Sequence, residues 1–456
     1  MSTGKKIVLA AALLVLAAAV GFVSAYVVYN PSRKTEKKEK TQTETECEDY
    51  TVPEIDLSVK PQGTDEKYDY LYELSVVDDT ADYLAHPDSV LLKNGDILTF
   101  YPEGHGKGAI RTKISSDGGK TWDKSLENTP KSWEDSLETP TVYRLTFTDG
   151  KTPDKLILIS ANPKWPGMST PGGFNCSLST DEGKTWSEFE LFYDKKSEYS
   201  VVPIVAMSSL TQLKENGEFV DKWMGLFHDS DFYNYKTILT FDENGNMQWS
   251  KPEKYFSQYR KIEKKAKMCE VEVIRSVRGN GGTLALLARS NSKKMNSLVS
   301  FSTDEGVTWS EPREVPSALN GERHKAEWVG TKLFITFRSI NRGKNAIAGS
   351  GKDWVSEGWV AWVGSFEDLR QGSEGICRIK LAHIYNDDQT APEYIANADT
   401  GYCGNVVLPD GTIVTSTYGK FSPDEKTSDG KYKTYICSKR IKPADIEEMI
   451  KELKGE

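Results

Sequence analysis

The chain has 456 residues, with 58 Lys+Arg against 67 Asp+Glu and a formal net charge of −9. That balance excludes a dedicated nucleic-acid binder, which carries a basic surplus or stripe. With 27% charged and 38% hydrophobic residues, a coiled coil, a multispan membrane protein and wholesale disorder are excluded too. Aromatic content is the unusual term, at 11% with 11 Trp. Such a surplus serves either a repeated structural purpose or the binding of flat apolar faces such as sugars.

In chain order, Lys5 and Lys6 come first, ahead of an apolar run over 7–29 that is long enough to span a bilayer. With small residues at Val23-Ser24-Ala25, the run reads equally as a cleaved secretory signal or a retained anchor. Either places the folded part outside the cytoplasm, secreted or anchored at the cell surface. Residues 30–65 read as a charged linker. Six cysteines (Cys47, Cys176, Cys269, Cys377, Cys403 and Cys437) show no metal-finger spacing, and an even count outside the cell permits disulfides without assigning them.

An octapeptide then recurs. Ser115-Ser116-Asp117-Gly118-Gly119-Lys120-Thr121-Trp122 returns as Ser179–Trp186 and Ser302–Trp309, with a degenerate copy from Thr240 to Trp249. The aspartates stand at 117, 181, 242 and 304, a period near 62 that predicts stacked or radial repeats. The chemistry suits a hairpin turn: Asp and Ser side chains accept from turn N–H groups, Gly takes the positive φ, and Trp packs back on the sheet. Four strands in such a period make one propeller blade.

This octapeptide is the Asp-box, and over roughly residues 66–440 the chain resembles the sialidase (neuraminidase) superfamily of six-bladed β-propellers. The expected fold is therefore all-β: a six-bladed propeller over 66–442, with the N-terminal segment before it and a short helix over 443–456 after it. Ile446, Met449, Ile450 and Leu453 share one face of that helix. The Asp-box residues are expected to build the fold rather than the site.

The resemblance implies a site where inner strands converge on the axis. Its members retain anomeric configuration with a Tyr nucleophile, a Glu base, an Asp general acid and three arginines for the substrate carboxylate. The segment Tyr402-Cys403-Gly404-Asn405-Val406-Val407 resembles the nucleophile strand, making Tyr402 the nucleophile. Met268-Cys269-Glu270-Val271-Glu272 resembles the strand of the partner Glu, with Glu270 first choice and Glu272 second because alternation puts both on one face. Arg289 and Arg338 match the second and third arginines. The first blade departs from the pattern. Ala85-His86-Pro87-Asp88 stands where the first arginine is expected, the acid loop carries His105 and no Asp, and Tyr418 holds the place of a further Glu. His86 then becomes a substrate-binding candidate, and His105 or Asp88 the general acid.

These residues predict an exo-glycosidase acting on a terminal acidic sugar of extracellular glycans. It would need no cofactor or nucleic acid, would be a monomer, and would touch a membrane only through an uncleaved N-terminus. A second reading makes His86, Asp88, His105 and His228-Asp229 the metal ligands of a hydrolase for a modified sugar. A third is a glycan-binding propeller without catalysis. Trp165, Tyr233, Trp354, Trp359 and Trp362 are candidate sugar-stacking faces.

Overall fold

The computed structural model describes residues 50–454 apart from 165–168, 343–352 and 392–394, with no side chains described at 280, 453 and 454. The apolar run, Cys47 and Trp165 lie outside the described residues. Six antiparallel blades follow one another round the axis. Blade I comprises 88–91, 97–102 and 110–115, and Ile114 bridges to Lys124 on its outer side. Blade II is 141–145, 155–161, 174–179 and 190–192; blade III is 209–215, 218–228, 234–241 and 247–249. Blade IV is 268–275, 284–290, 298–302 and 313–314; blade V is 321–329, 332–342, 354–364 and 377–380. Blade VI is 404–407, 413–419 and 435–441, and its outer strand, 75–78, comes from ahead of blade I. That exchange closes the ring and covers the edge of 435–441.

Middle strands are sandwiched between neighbouring blades, so they are apolar on both faces; every residue of 97–102 is buried. The three Asp-boxes span the hairpins between third and fourth strands. In the first, Asp117 accepts from the N–H groups of Lys120 and Thr121, both at 3.0 Å, and Ser115 Oγ accepts from Gly119 N at 2.8 Å. Gly119 has φ +85°, and a Cβ there would lie 2.5 Å from Val414 Cγ1 of blade VI, so only glycine fits. Trp122 Nε1 donates to Ser438 Oγ of the same neighbour at 2.9 Å.

The glutamates of the second and third boxes have a purpose the sequence did not reveal. Glu305 pairs with Arg275 of its own blade, both guanidinium nitrogens at 2.6 Å, and accepts from Lys214 N of blade III at 2.9 Å, while Arg275 donates to Gln212 O at 2.8 Å. Glu182 repeats this with Arg144 (2.7 and 2.9 Å), Lys93 N at 3.1 Å and Leu91 O at 2.9 Å. Each set is an ionic staple gripping the backbone of the preceding blade.

The linker boundary at 65 needs correcting. Residues 54–56 already pair in parallel with 377–380 at the edge of blade V, and Glu54 meets Arg378 at 3.0 Å. The C-terminal helix runs Pro443–Lys454 and buries Ile446, Met449 and Ile450 against Ile55, Leu57, Tyr68 and Leu71. The five described cysteines are buried free thiols.

Candidate active site

The inner ends of blades I, IV, V and VI bring the site together. Tyr402 precedes the inner strand of blade VI. Its neighbour Gly401 has φ +81°, and a Cβ there would fall 2.7 Å from Arg338 Cα, so glycine lets the two segments cross. Tyr402 donates its O–H to Glu270 Oε2 at 2.8 Å. Arg289 Nη1 donates to both Glu270 oxygens at 2.9 Å and also to the Tyr402 oxygen. Arg338 lies with its guanidinium 4.6 Å from the Tyr402 ring centre. Tyr402, Glu270, Arg289 and Arg338 thus meet in one site, although they come from three blades.

Glu270 owes its position to a bulge. The register of 268–275 shifts between Cys269 and Glu272, and Glu270 takes φ +46°. A matching shift lies between Glu322 and Lys325, with Arg323 at φ +53°, and His86 sits at φ +55°. Left-handed backbone at non-glycine residues costs free energy, and His86, Glu270 and Arg323 are three such residues at this site. That pocket is lined by His86, Asp88, Thr141, Arg323, Tyr402 and Cys403, among others.

The bulge also separates the two candidate glutamates, correcting the expectation that alternation keeps them together. Glu272 does not reach Tyr402. It accepts from Ala326 N at 3.1 Å, and Lys325 is its main charged neighbour. Asp88 is corrected as a general acid: it accepts from Ser89 N and Val142 N, both at 3.0 Å, and pairs with Lys325 at 3.2 Å, so its oxygens hold the fold. His86 is buried, its ring 5.0 Å from that of Tyr402 and 4.7 Å from those of His105 and Tyr418. Burial, with His105 and Arg338 nearby, pushes its pKa well below the ordinary imidazole value, so it is neutral. His105 lies exposed at the rim. Its Nδ1 is 2.6 Å from the Tyr83 hydroxyl and 3.4 Å from Asp399, which leaves Nε2 facing away from that pair.

The electrostatics divide the site into roles. Burial raises the Glu270 carboxyl, but the Arg289 guanidinium outweighs it and holds the group below its ordinary range. Burial pushes the Tyr402 phenol well up, more than Arg289 brings it down, so the phenol is neutral and needs a base to lose its proton. Glu138, which the sequence reading missed, is buried behind the His105 loop and is pushed up to about 7 by that burial. Its Oε1 accepts from Thr139 N at 2.9 Å, and Thr139 Oγ1 in turn lies 3.1 Å from His86 Nδ1.

Glu322 and Arg323 were missed as well. Glu322 meets Arg289 at 3.0 Å, Arg338 at 2.8 Å and Lys293 at 2.8 Å. The two arginines expected as an open carboxylate clamp therefore already hold a carboxylate of the chain. Arg323 Nη1 donates to Ser208 O at 3.1 Å, and Glu270, Asp88 and Glu272 surround it. One signal was available in the sequence: Gly321-Glu322-Arg323-His324-Lys325 puts four titratable residues in a row on a strand that begins at a blade's inner edge.

The metal set does not assemble: among the described residues no three His, Cys, Asp or Glu side chains gather as ligands. His228 is buried with its ring stacked 6.1 Å from Phe232, and Asp229 caps its own turn by accepting from Asp231 N at 3.0 Å and Tyr233 N at 2.9 Å. The sugar-stacking aromatics are mostly corrected too. Trp359 and Trp362 are wholly buried core residues. Tyr233 is held between Lys254 at 3.3 Å and Arg260 at 3.5 Å from its ring centre. Trp354 borders the site through Lys293, whose Nζ lies 4.4 Å from its ring centre.

The family model of the BNR repeat-like domain matches residues 101–333, just over half of the chain. No curated protein matches it by sequence. Among solved structures, a protein of unknown function from Dyadobacter fermentans DSM 18053 is 17% identical, with TM-score 0.54, over 81% of this chain and 97% of that one. The Penicillium chrysogenum alpha-L-arabinanase complexed with arabinobiose is 12% identical, with TM-score 0.47, over 81% of this chain and 97% of that one. The NanB sialidase from Streptococcus pneumoniae is 12% identical, with TM-score 0.46, over 82% of this chain and 70% of that one. Identities this low speak to the fold alone, and the likeness to the Dyadobacter protein carries that comparison.

Proposed function

The chain belongs to the family of BNR repeat-like domains, and on that premise we propose that it is a retaining exo-glycosidase whose nucleophile is Tyr402. The observation that carries this reading is the hydrogen bond from the Tyr402 phenol to the Glu270 carboxylate at 2.8 Å, beside the axial pocket. In the proposed reaction the Tyr402 oxygen bonds to the anomeric carbon as its proton passes to Glu270. The glycosidic oxygen leaves with a proton from His105, whose Nδ1 is braced by Tyr83 and Asp399. Water then attacks the glycosyl-tyrosine, giving its proton to His105, and the phenolate regains its proton from Glu270. Arg289 keeps Glu270 ionised and ready to accept.

The charge around Tyr402 supports a phenol here. Glu270 and Glu322 both oppose its ionisation, and a third carboxylate in its place would be repelled by them. The apolar run over 7–29 supports a working place outside the cytoplasm, secreted or membrane-tethered; the substrate proposed is a glycan end, and the acting form proposed is a monomer.

The test is a screen of aryl glycosides with the full chain and with Tyr402→Phe, reading anomeric configuration by proton NMR. Release of the retained anomer by the wild type, lost in the variant, is expected. Inversion of configuration, full activity in Tyr402→Phe, or glycan binding with no turnover would each overturn the reading.

A further inference from the structure

The proposed reaction has no use for Glu322, yet this residue is among the most heavily engaged in the site. It is 2% exposed and touches Arg289, Arg338 and Lys293 at 3.0, 2.8 and 2.8 Å. Both guanidiniums are otherwise occupied. Arg338 gives Nε to Thr400 O at 2.6 Å and Nη2 to the Tyr418 oxygen at 2.8 Å, leaving Nη1 for Glu322. Arg289 commits Nη1 to Glu270 and Tyr402 and shares Nη2 between Asn291 Oδ1 at 2.8 Å and Glu322. A bidentate grip on a ligand carboxylate needs two adjacent N–H groups, end-on through both Nη or side-on through Nε and one Nη. Arg338 has all three nitrogens engaged, and Arg289, whose Nε alone has no partner, has both Nη groups engaged, so neither pair is open on either arginine.

We propose that Glu322 is a built-in anion filling the seat that a substrate carboxylate would otherwise take, so that the pocket accepts a sugar with no carboxylate on its anomeric carbon. This rests on the Tyr402 reading and deepens it by naming the substrate class. Burial works against the ionised form of Glu322, but the three cations hold its carboxyl down at about 2. The charge is thus permanent at working pH. A second carboxylate brought to the same guanidiniums meets a like charge at contact distance in a site shielded from water. The segment carrying Glu322 is also fixed, since the adjoining bulge at Arg323 sets which way the residue points.

The experiment titrates the full chain and Glu322→Gln by calorimetry with methyl glycosides: a panel of neutral pyranosides and furanosides, and the methyl α-glycoside of N-acetylneuraminic acid. In the wild type, at least one neutral glycoside is expected to bind tenfold or more tightly than the sialoside. Glu322→Gln, which leaves the cations short of an anion, is expected to gain tenfold or more in sialoside affinity. Glu322→Asp, with a shorter side chain and the same charge, serves as second variant should Glu322→Gln melt early, and a smaller gain is expected from it. A wild type without preference for a neutral glycoside overturns the inference, and so does a folded variant with no gain. Tyr402→Phe separates the two readings. If it abolishes hydrolysis of a preferred sialoside, the tyrosine mechanism stands and the Glu322 inference falls. If it spares hydrolysis of a preferred neutral glycoside, the reverse holds.

Discussion

Tyr402 and Glu270 lie 132 residues apart in the chain and 2.8 Å apart in the fold. One comes from blade VI and the other from a bulge in blade IV, so the pair depends on the ring as a whole. The Arg289 guanidinium reaches both, so one cation favours the ionised form of each partner.

If Glu270 is the base, Glu270→Gln removes proton acceptance while keeping the size of the side chain. Turnover should fall about 10²- to 10⁴-fold, the range for loss of a positioned base. Substrate binding should change little. A loss seen in KM alone, with kcat preserved, would make Glu270 a binding residue instead.

Glu138 predicts a pH dependence of stability. Its ordinary carboxyl value is 4.5, and burial raises it to about 7 in the folded state. The folded protein therefore binds this proton more tightly. The resulting stability is fully present below about 4.5 and is lost as pH rises through about 7. The span corresponds to about 3 kcal/mol. Urea melts of Glu138→Gln between those pH values should show a flatter profile than wild type, and parallel profiles would refute the assignment.

Trp359 and Trp362 are wholly buried. Trp359→Ala should cost about 3–5 kcal/mol of stability, as for other large-to-small core changes. The measurement is a chemical melt alongside glycan binding at a temperature where the variant is folded. Weakened binding with unchanged stability would return this residue to the sugar-stacking role.

The ionic staples predict a local effect with a global cost. Glu305→Ala removes the bidentate partner of Arg275 and the carboxylate that accepts from Lys214 N. A loss of about 2 kcal/mol is expected, since hydrogen bonds to charged groups contribute at that level. Hydrogen exchange should quicken first at the seam between blades III and IV. A variant with wild-type stability would show the staple to be a solvated ion pair.

Much of the fold was legible because the Asp-box is a local device. Asp117, Gly119 and Trp122 satisfy their own turn and announce it wherever they recur. Tyr402, Glu270, Arg289 and Arg338 were legible through their strand contexts. The rest depended on tertiary geometry. No local pattern marks a bulge, so the separation of Glu270 from Glu272 and the aim of Glu322 and Arg323 stayed hidden. Asp88 looked like an acid because its partners Val142 N and Lys325 are apparent only once blades II and V join blade I in the ring. The late tryptophans looked like ligands because a strand packed on both faces reads as an unexplained apolar surplus.

Blade VI borrows its outer strand, 75–78, from the front of the chain and pairs it with 435–441. During synthesis that early strand waits, without its partner strand, until almost the last residues leave the ribosome. An unpaired edge held open so long invites mispairing with other nascent chains. Tyr402 belongs to the same late blade and finds Glu270 only as the circle shuts. The Tyr402–Glu270 contact therefore reports on ring closure, because a chain that stops before its final strand has no means of holding the two side chains together.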